Sequence, residues 1–199
     1  MKRWVPIAVV VFVVAMGAWA ASGYNSLVGL EQGVRSAWGQ VENVYQRRAD
    51  LVPNLVETVK AAAAFEKDTF TAVATARAQV GQVSAAGVEK ITSDPAAMAK
   101  FQQAQDGLSS ALSRLLVVSE RYPELKATAA FRDLQVQLEG TENRIAVERM
   151  RFNEAAQAFN TKRQSFPTVL IAGFFGDRFK EKPYFKAQAG SDAAPKVKF

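Results

Sequence analysis

Six charged residues crowd one stretch of the chain: Glu139, Glu142, Arg144, Glu148, Arg149 and Arg151. Carboxylates at helical spacing can hold a pair of metal ions, but helix-bundle sites of that kind use a Glu-x-x-His pattern. The chain has no histidine. Ion pairs between helices, or at i,i+4 spacing, are the expected use of this cluster. A second concentration is Arg47-Arg48-Ala49-Asp50-Leu51-Val52-Pro53-Asn54. Arg47 and Arg48 could anchor a partner's carboxylate or phosphate, with Asp50, Pro53 and Asn54 completing a corner. The same residue types suit a helix boundary. Asp50 would cap a helix beginning near Val52, an arginine would pair with Asp50, and Pro53 would sit in the new first turn.

Cysteine is absent as well. Thiol nucleophiles, disulfides, His/Cys zinc sites and Ser-His-Asp triads are therefore excluded. No Gly-rich phosphate loop is present. No catalytic, cofactor-binding or metal-binding residue is assigned, and no cofactor is expected. Ser/Lys or carboxylate chemistry would need a pocket holding a Lys or Glu of strongly perturbed pKa.

The third candidate lies near the C-terminus. The run Thr168 to Gly176 is apolar but too short to span a bilayer. Leu170, Ile171, Phe174, Phe175, Phe179, Tyr184 and Phe185 are interspersed with Arg178, Lys180 and Lys182. Apolar and basic groups together suit a membrane-interface or subunit contact. They equally suit a cap on the open end of a bundle. Gln188 to Lys196 reads as a linker, and Val197-Lys198-Phe199 could add a strand or a plug.

These groups need elements to position them. The chain has 199 residues, is 49% hydrophobic and carries a net charge of +6, enough for one domain with a real core plus a tether. The basic excess forms no dense stripe, so nucleic acid is not an expected partner. A mildly basic surface near anionic lipid is the better fit. Trp4 to Ala21 is uncharged and apolar after Lys2 and Arg3, about the length of a membrane-crossing helix. Trp4 and Trp19 stand at its two ends. Ala18-Trp19-Ala20 also has the form of a signal-peptide cleavage site, but the apolar run exceeds a usual signal segment. Lys2 and Arg3 favour a cytoplasmic N-terminus and a body outside the cytoplasm, while Arg35, Arg47 and Arg48 weaken that vote.

Leu27, Leu30, Val34, Trp38, Val41 and Tyr45 form a helical stripe continuing out of the membrane segment. Pro53 then predicts a break or kink near Asp50. A second helix carries Val52, Leu55, Val56, Val59, Ala63, Phe70, Val73 and Val80, and ends within Gly81 to Ser93. Asp94-Pro95 opens a third, with Phe101, Leu108, Leu112, Leu115 and Val118, which ends at Tyr122-Pro123. The fourth carries Phe131, Leu134, Leu138, Ile145, Phe152 and Phe159 and stops before Phe166-Pro167. The predicted fold is all-α: an elongated antiparallel four-helix bundle continuous with an N-terminal transmembrane helix. Its expected divisions are an N-terminal tail and membrane helix over 1–22, the bundle over 23–166, and an apolar, basic tail over 167–199.

Several segments resemble the LemA family. The strongest is Arg47 to Val56 with Val59-Lys60 behind it. Tyr24-Asn25-Ser26-Leu27-Val28, Ala37-Trp38, Ala76-Arg77, Glu124-Leu125-Lys126-Ala127, Phe131, Leu134, Ile145, Arg149 and Asn153 also fit. So do Phe166-Pro167, Ala172, Phe174, Phe185 and Val197-Lys198-Phe199. The resemblance implies a single-pass, N-terminally anchored helical bundle and offers no catalytic residues to transfer. Some relatives are associated with making magnetosome membranes, which implies membrane organisation. Others are encoded beside membrane metalloproteases, which implies an accessory role.

The functional expectation is a non-enzymatic structural scaffold, coiled-coil-like and self-associating, in the bacterial inner membrane. Membrane lipid and further copies of the chain are its expected partners. The competing expectation is an adaptor for a membrane enzyme such as a metalloprotease.

Overall fold

The computed structural model describes residues 4–63 and 66–186. Among these residues the structure is helical with no strand: α1 (Trp4–Ala62), α2 (Lys67–Ser84), α3 (Val88–Ser93), α4 (Pro95–Ser119), α5 (Pro123–Lys126), α6 (Ala129–Gln164) and α7 (Thr168–Phe174), followed by a 3-10 turn (Gly176–Phe179).

The first helix runs for 59 residues without a break, so the interruption expected near Asp50 is corrected. The reason is legible in its seam. The buried residues of α1 are Leu27, Glu31, Val34, Trp38, Val41, Tyr45, Arg48, Val52, Leu55 and Val59. They alternate spacings of four and three, the pattern of a helix packed along one continuous seam. That pattern passes Pro53 in phase, and Pro53 itself lies on the exposed face. A proline inside a helix removes one N–H, here the donor for the carbonyl of Ala49. Arg77 of α2 supplies a substitute, donating from Nε to the Ala49 oxygen at 3.4 Å. Asp50 is consequently no cap: it sits on the exposed surface of α1 and accepts a bond from Gln46 at 2.8 Å. The break falls after Ala62 instead. One stripe residue also changes: Glu31, not Leu30, occupies the buried seam position.

The other boundaries follow local chemistry. Asp94 caps α4 by accepting from the Ala96 N–H at 2.9 Å, with Pro95 in the first turn. Gly87, at φ 86°, makes the left-handed turn between α2 and α3. Thr128 caps α6 by accepting from the Phe131 N–H at 3.3 Å.

Helix α1 lies antiparallel to α6, as Trp38 against Phe152 and Arg48 against Glu142 require. Helix α2 packs against α4, and α7 folds back on α1 and α6. Two clusters make the core. One contains Leu27, Val34, Trp38, Phe101, Phe152, Phe159, Phe179 and Phe185. The other contains Val52, Leu55, Val59, Val73, Leu108, Leu112, Leu115 and Leu138.

The N-terminal part of α1 is long and apolar enough to cross a membrane, and none of that window is buried. Val9, Phe12, Val14 and Met16 are all more than half exposed.

Candidate functional site

Two charged residues interrupt the apolar seam of α1, and each organises its surroundings. Arg48 is 1% exposed. Its guanidinium donates to Glu142 of α6 at 2.9 Å, and to Ser109 at 2.7 Å and the Gln105 carbonyl at 3.3 Å, both on α4. It also donates to the Gln105 side-chain oxygen. The guanidinium carbon lies 5.1 Å from the centre of the Tyr45 ring. A buried cation is costly unless it is paired. The terminal nitrogens of this one are met by four acceptors while its Nε has no partner among the described residues, and it ties α1, α4 and α6 together. Burial pushes the Tyr45 hydroxyl above its usual range, with Arg149 and Arg48 partly offsetting it.

Glu31, 2% exposed, is the second. It accepts from Lys182 Nζ at 3.0 Å and from the Arg178 guanidinium. Burial alone would raise its carboxyl, but the hydrogen bonds and charges of Lys182 and Arg178 outweigh that and hold it below the ordinary carboxylate value. Lys182 Nζ also lies 5.1 Å from the Phe159 ring centre.

Both cations come from the segment that follows α7, and residues 180–186 form a strap without helical structure. A primary amide side chain carries a donor and an acceptor side by side, so it can pair with a backbone as a neighbouring strand would. Three amides do this. Asn160 binds both the N–H and the carbonyl of Lys182, at 2.9 and 2.8 Å. Asn153 binds both groups of Phe185, at 2.8 and 3.0 Å. Gln102 binds both groups of Lys186, at 3.2 and 2.6 Å. Arg163 adds a bond to the Phe179 carbonyl at 2.6 Å. The Phe185 ring enters the core, stacked 6.0 Å from Trp38 and edge-on to Phe152 at 5.4 Å. Arg149 lies over its outer face at 4.7 Å.

Helix α7 closes the end of the body nearest the apolar part of α1. Its inner face buries Thr168, Ile171 and Ala172. Gly23 of α1 faces Ile171, and a Cβ at Gly23 would press into that side chain. Tyr24 meets Phe175 at 5.0 Å and Phe179 at 5.4 Å. The outer face leaves Leu170 and Phe174 at 62% and 85% exposure, and Phe166, in the turn before α7, is 81% exposed. Leu170 and Phe174, four residues apart, lie on one face of the helix. A cavity of about 480 Å³ opens between the two helices, with Ala20, Ala21, Tyr24, Asn25 and Leu170 among its lining residues.

The seven aromatic and aliphatic residues expected to make one contact therefore divide. Ile171, Phe179 and Phe185 are core, while Leu170, Phe174, Phe175 and Tyr184 remain exposed. The corner residues divide too. Arg48 is occupied inside the body, whereas Arg47, Asp50, Pro53 and Asn54 are exposed. In the charged stretch of α6, Glu142 pairs with Arg48, Arg151 with Glu148 at 2.8 Å, and Arg149 with the strap.

Sequence reasoning missed Glu31, Gln102 and Asn160. The signal for Glu31 was a charge at a seam position, four residues after Leu27 and three before Val34. The amides gave no comparable sign, because their partners are backbone groups. Val197-Lys198-Phe199 lies outside the described residues.

Fold and site together define a helical protein with one potential membrane helix at its N-terminus and an apolar face where that helix joins the body. Residues 37–199 match the LemA family, and the chain belongs to it. It is 27% identical over 197 residues to the proteins named magnetosome protein MamQ 1 and MamQ 2 of Paramagnetospirillum magneticum, covering 92% of this chain and 72% of each of theirs. Magnetosome protein MamQ of Magnetospirillum gryphiswaldense is 27% identical over 183 residues, with 85% of this chain and 66% of that protein covered.

Proposed function

We propose that this chain is a non-enzymatic, membrane-anchored scaffold of the bacterial cell envelope that self-associates and organises the membrane around it. The four long helices act as one elongated antiparallel bundle standing on the bilayer. Helix α1 crosses the inner membrane with its N-terminus in the cytoplasm and carries the body into the periplasm, the orientation Lys2 and Arg3 favour. The observation that carries this reading is the exposed Leu170 and Phe174 of α7, with exposed Phe166 in the turn before it, beside the unburied apolar part of α1. Apolar side chains left in water would be costly, and beside a membrane helix they have lipid within reach. Similarity to proteins named as magnetosome proteins supports the membrane setting. The absence of cysteine and histidine supports a role without catalysis.

Crosslinking in native membranes, followed by sizing of the full-length protein in lipid, tests the proposal. A scaffold gives mainly self-crosslinks and a defined oligomer. A stoichiometric foreign protein in the crosslinks would instead make the chain an adaptor for another membrane protein, and a clean monomer in lipid would overturn self-association.

A further inference from the structure

The cavity of about 480 Å³ between α1 and α7 has a graded wall. On its membrane side Ala20 and Ala21 of α1 line it together with Leu170 and Phe174 of α7. Tyr24 and Asn25, one turn further out along α1, are the only polar side chains in its lining among the described residues. Its size falls in the range of small-molecule sites.

Positive charge stands at the polar end. Glu31, about two turns beyond Tyr24 on α1, is met by both Lys182 and Arg178, so the trio keeps one positive charge in surplus. The Glu31 and Lys182 side chains are enclosed, at 3% and 7% exposure, whereas Arg178 is 41% exposed and presents the surplus to solvent. The Arg178 guanidinium also interacts with the Tyr24 hydroxyl in the groove wall. It gives Glu31 a bond from one terminal nitrogen, which leaves further donors of its fork for another acceptor. Neighbouring charges do not cancel it. Asp177 pairs with Lys180 at 3.2 Å, and the exposed Glu181 is matched in charge by Arg163, which donates to the Phe179 carbonyl.

We infer that this groove binds one anionic phospholipid from the leaflet where the body emerges. An acyl chain lies between Ala21 and the apolar side chains of α7, and the phosphate takes the free donors of Arg178. The order along α1 carries the assignment. Apolar wall, hydroxyl and cation follow one another away from the bilayer, as chain, glycerol and phosphate do in a lipid. An apolar helix of a second copy would cover the wall but leave the cation unmet. The inference deepens the reading of α1 as a membrane helix and rests on it.

Native mass spectrometry of the full-length chain in detergent tests the site. The probes are phosphatidylglycerol and the diacylglycerol with the same two chains. One phosphatidylglycerol is retained per chain, and diacylglycerol binds at least about tenfold more weakly, the size of one charge-assisted contact. Arg178→Gln lowers phosphatidylglycerol to the level of diacylglycerol without changing diacylglycerol itself, and Arg178→Lys restores the preference. Ala21→Phe, at an exposed position lining the groove, blocks both lipids while helix content by circular dichroism is unchanged. Equal binding of the two probes, full preference in Arg178→Gln, or a lipid-free dimer that Ala21→Phe dissociates would each overturn the assignment. Alkaline extraction reads the anchoring separately. A chain that stays in the membrane yet retains no phosphatidylglycerol sinks this inference alone, and a chain that is released sinks the membrane reading with it.

Discussion

From Leu27 to Tyr45 the seam of α1 meets aromatic rings, among them Phe101, Phe152, Phe159 and Phe185. From Val52 to Val59 it meets a cluster that is mostly aliphatic: Val73, Val80, Leu108, Leu112, Leu115 and Leu138. The half nearer the apolar N-terminal segment is also crossed by the strap, and its buried carboxylate at position 31 is matched by cations at 178 and 182. Among the described residues no strap crosses the far half. The difference teaches that one helical body can be closed in two ways. The near half is closed by contacts between opposite ends of the chain, so it is complete only when the strap is seated. The far half is closed by mostly aliphatic side chains between neighbouring helices.

The comparison breaks most sharply at the strap's anchor. Phe185→Ala removes a ring packed between Trp38 and Phe152, and large-to-small changes of this kind cost about 3–5 kcal/mol. Thermal melting should show that loss, and amide hydrogen exchange should rise around Trp38 and Asn153 while the segment 108–118 keeps its protection. Equal loosening of both halves would show that they form one cooperative unit.

Glu142→Ala comes next. It leaves the Arg48 guanidinium buried without its carboxylate, a change costing about 3 kcal/mol at the lower end of the range for broken buried pairs. The lower end applies because the Glu142 side chain is 41% exposed, so water can reach it. Denaturant unfolding checks the size, and Glu142→Gln should recover part of the loss by restoring an acceptor.

Acid sharpens the comparison further. The folded Glu31 carboxyl is held below its ordinary value of 4.5 by Lys182 and Arg178, despite the opposing effect of burial. Its contribution is therefore fully present above the unfolded value and lost as pH falls through the folded one. Exchange protection of the strap should fall below about pH 4.5, before that of the far half, and Glu31→Gln should flatten this dependence. A strap whose protection does not change between neutral pH and that range would contradict the tie.

The smallest expected effect on stability belongs to the exposed rings at α7 and in the turn before it. Phe166→Ser with Phe174→Ser should leave the melting temperature of detergent-solubilised protein nearly unchanged, since exposed substitutions fall within about 0.5 kcal/mol. Alkaline extraction of membranes should nonetheless release more of the double variant if these rings contact lipid.

Much of the helical content was legible because the seam is periodic. Trp38, Val41, Tyr45, Phe131, Phe152 and Phe159 all stand where the spacing placed them. Pro53 suggests a break by residue type alone, yet the seam of Arg48, Val52, Leu55 and Val59 keeps its phase across it. The donor that compensates it, Arg77, lies 28 residues away and carries no local sign. The strap was illegible for a related reason. Residues 180–186 have no period, and their partners Gln102, Asn153 and Asn160 are 22 to 84 residues distant. The run at α7 was recognisable as apolar, but only the fold separates its buried face from its exposed one.

Fluorescence of two single-site labels tests most directly whether the α7 end of the body is built to lie on lipid. The chain has no cysteine, so Phe174→Cys and Val136→Cys can each carry an environment-sensitive dye in vesicles that contain quencher lipids. Both positions are exposed, at 85% and 67%, and at 1.5 Å per residue they lie about 45 Å apart along the body. The expected result is a blue-shifted, lipid-quenched signal at position 174 and a solvent-like, unquenched one at position 136. A label at position 174 as solvent-like as the one at position 136 would contradict the account.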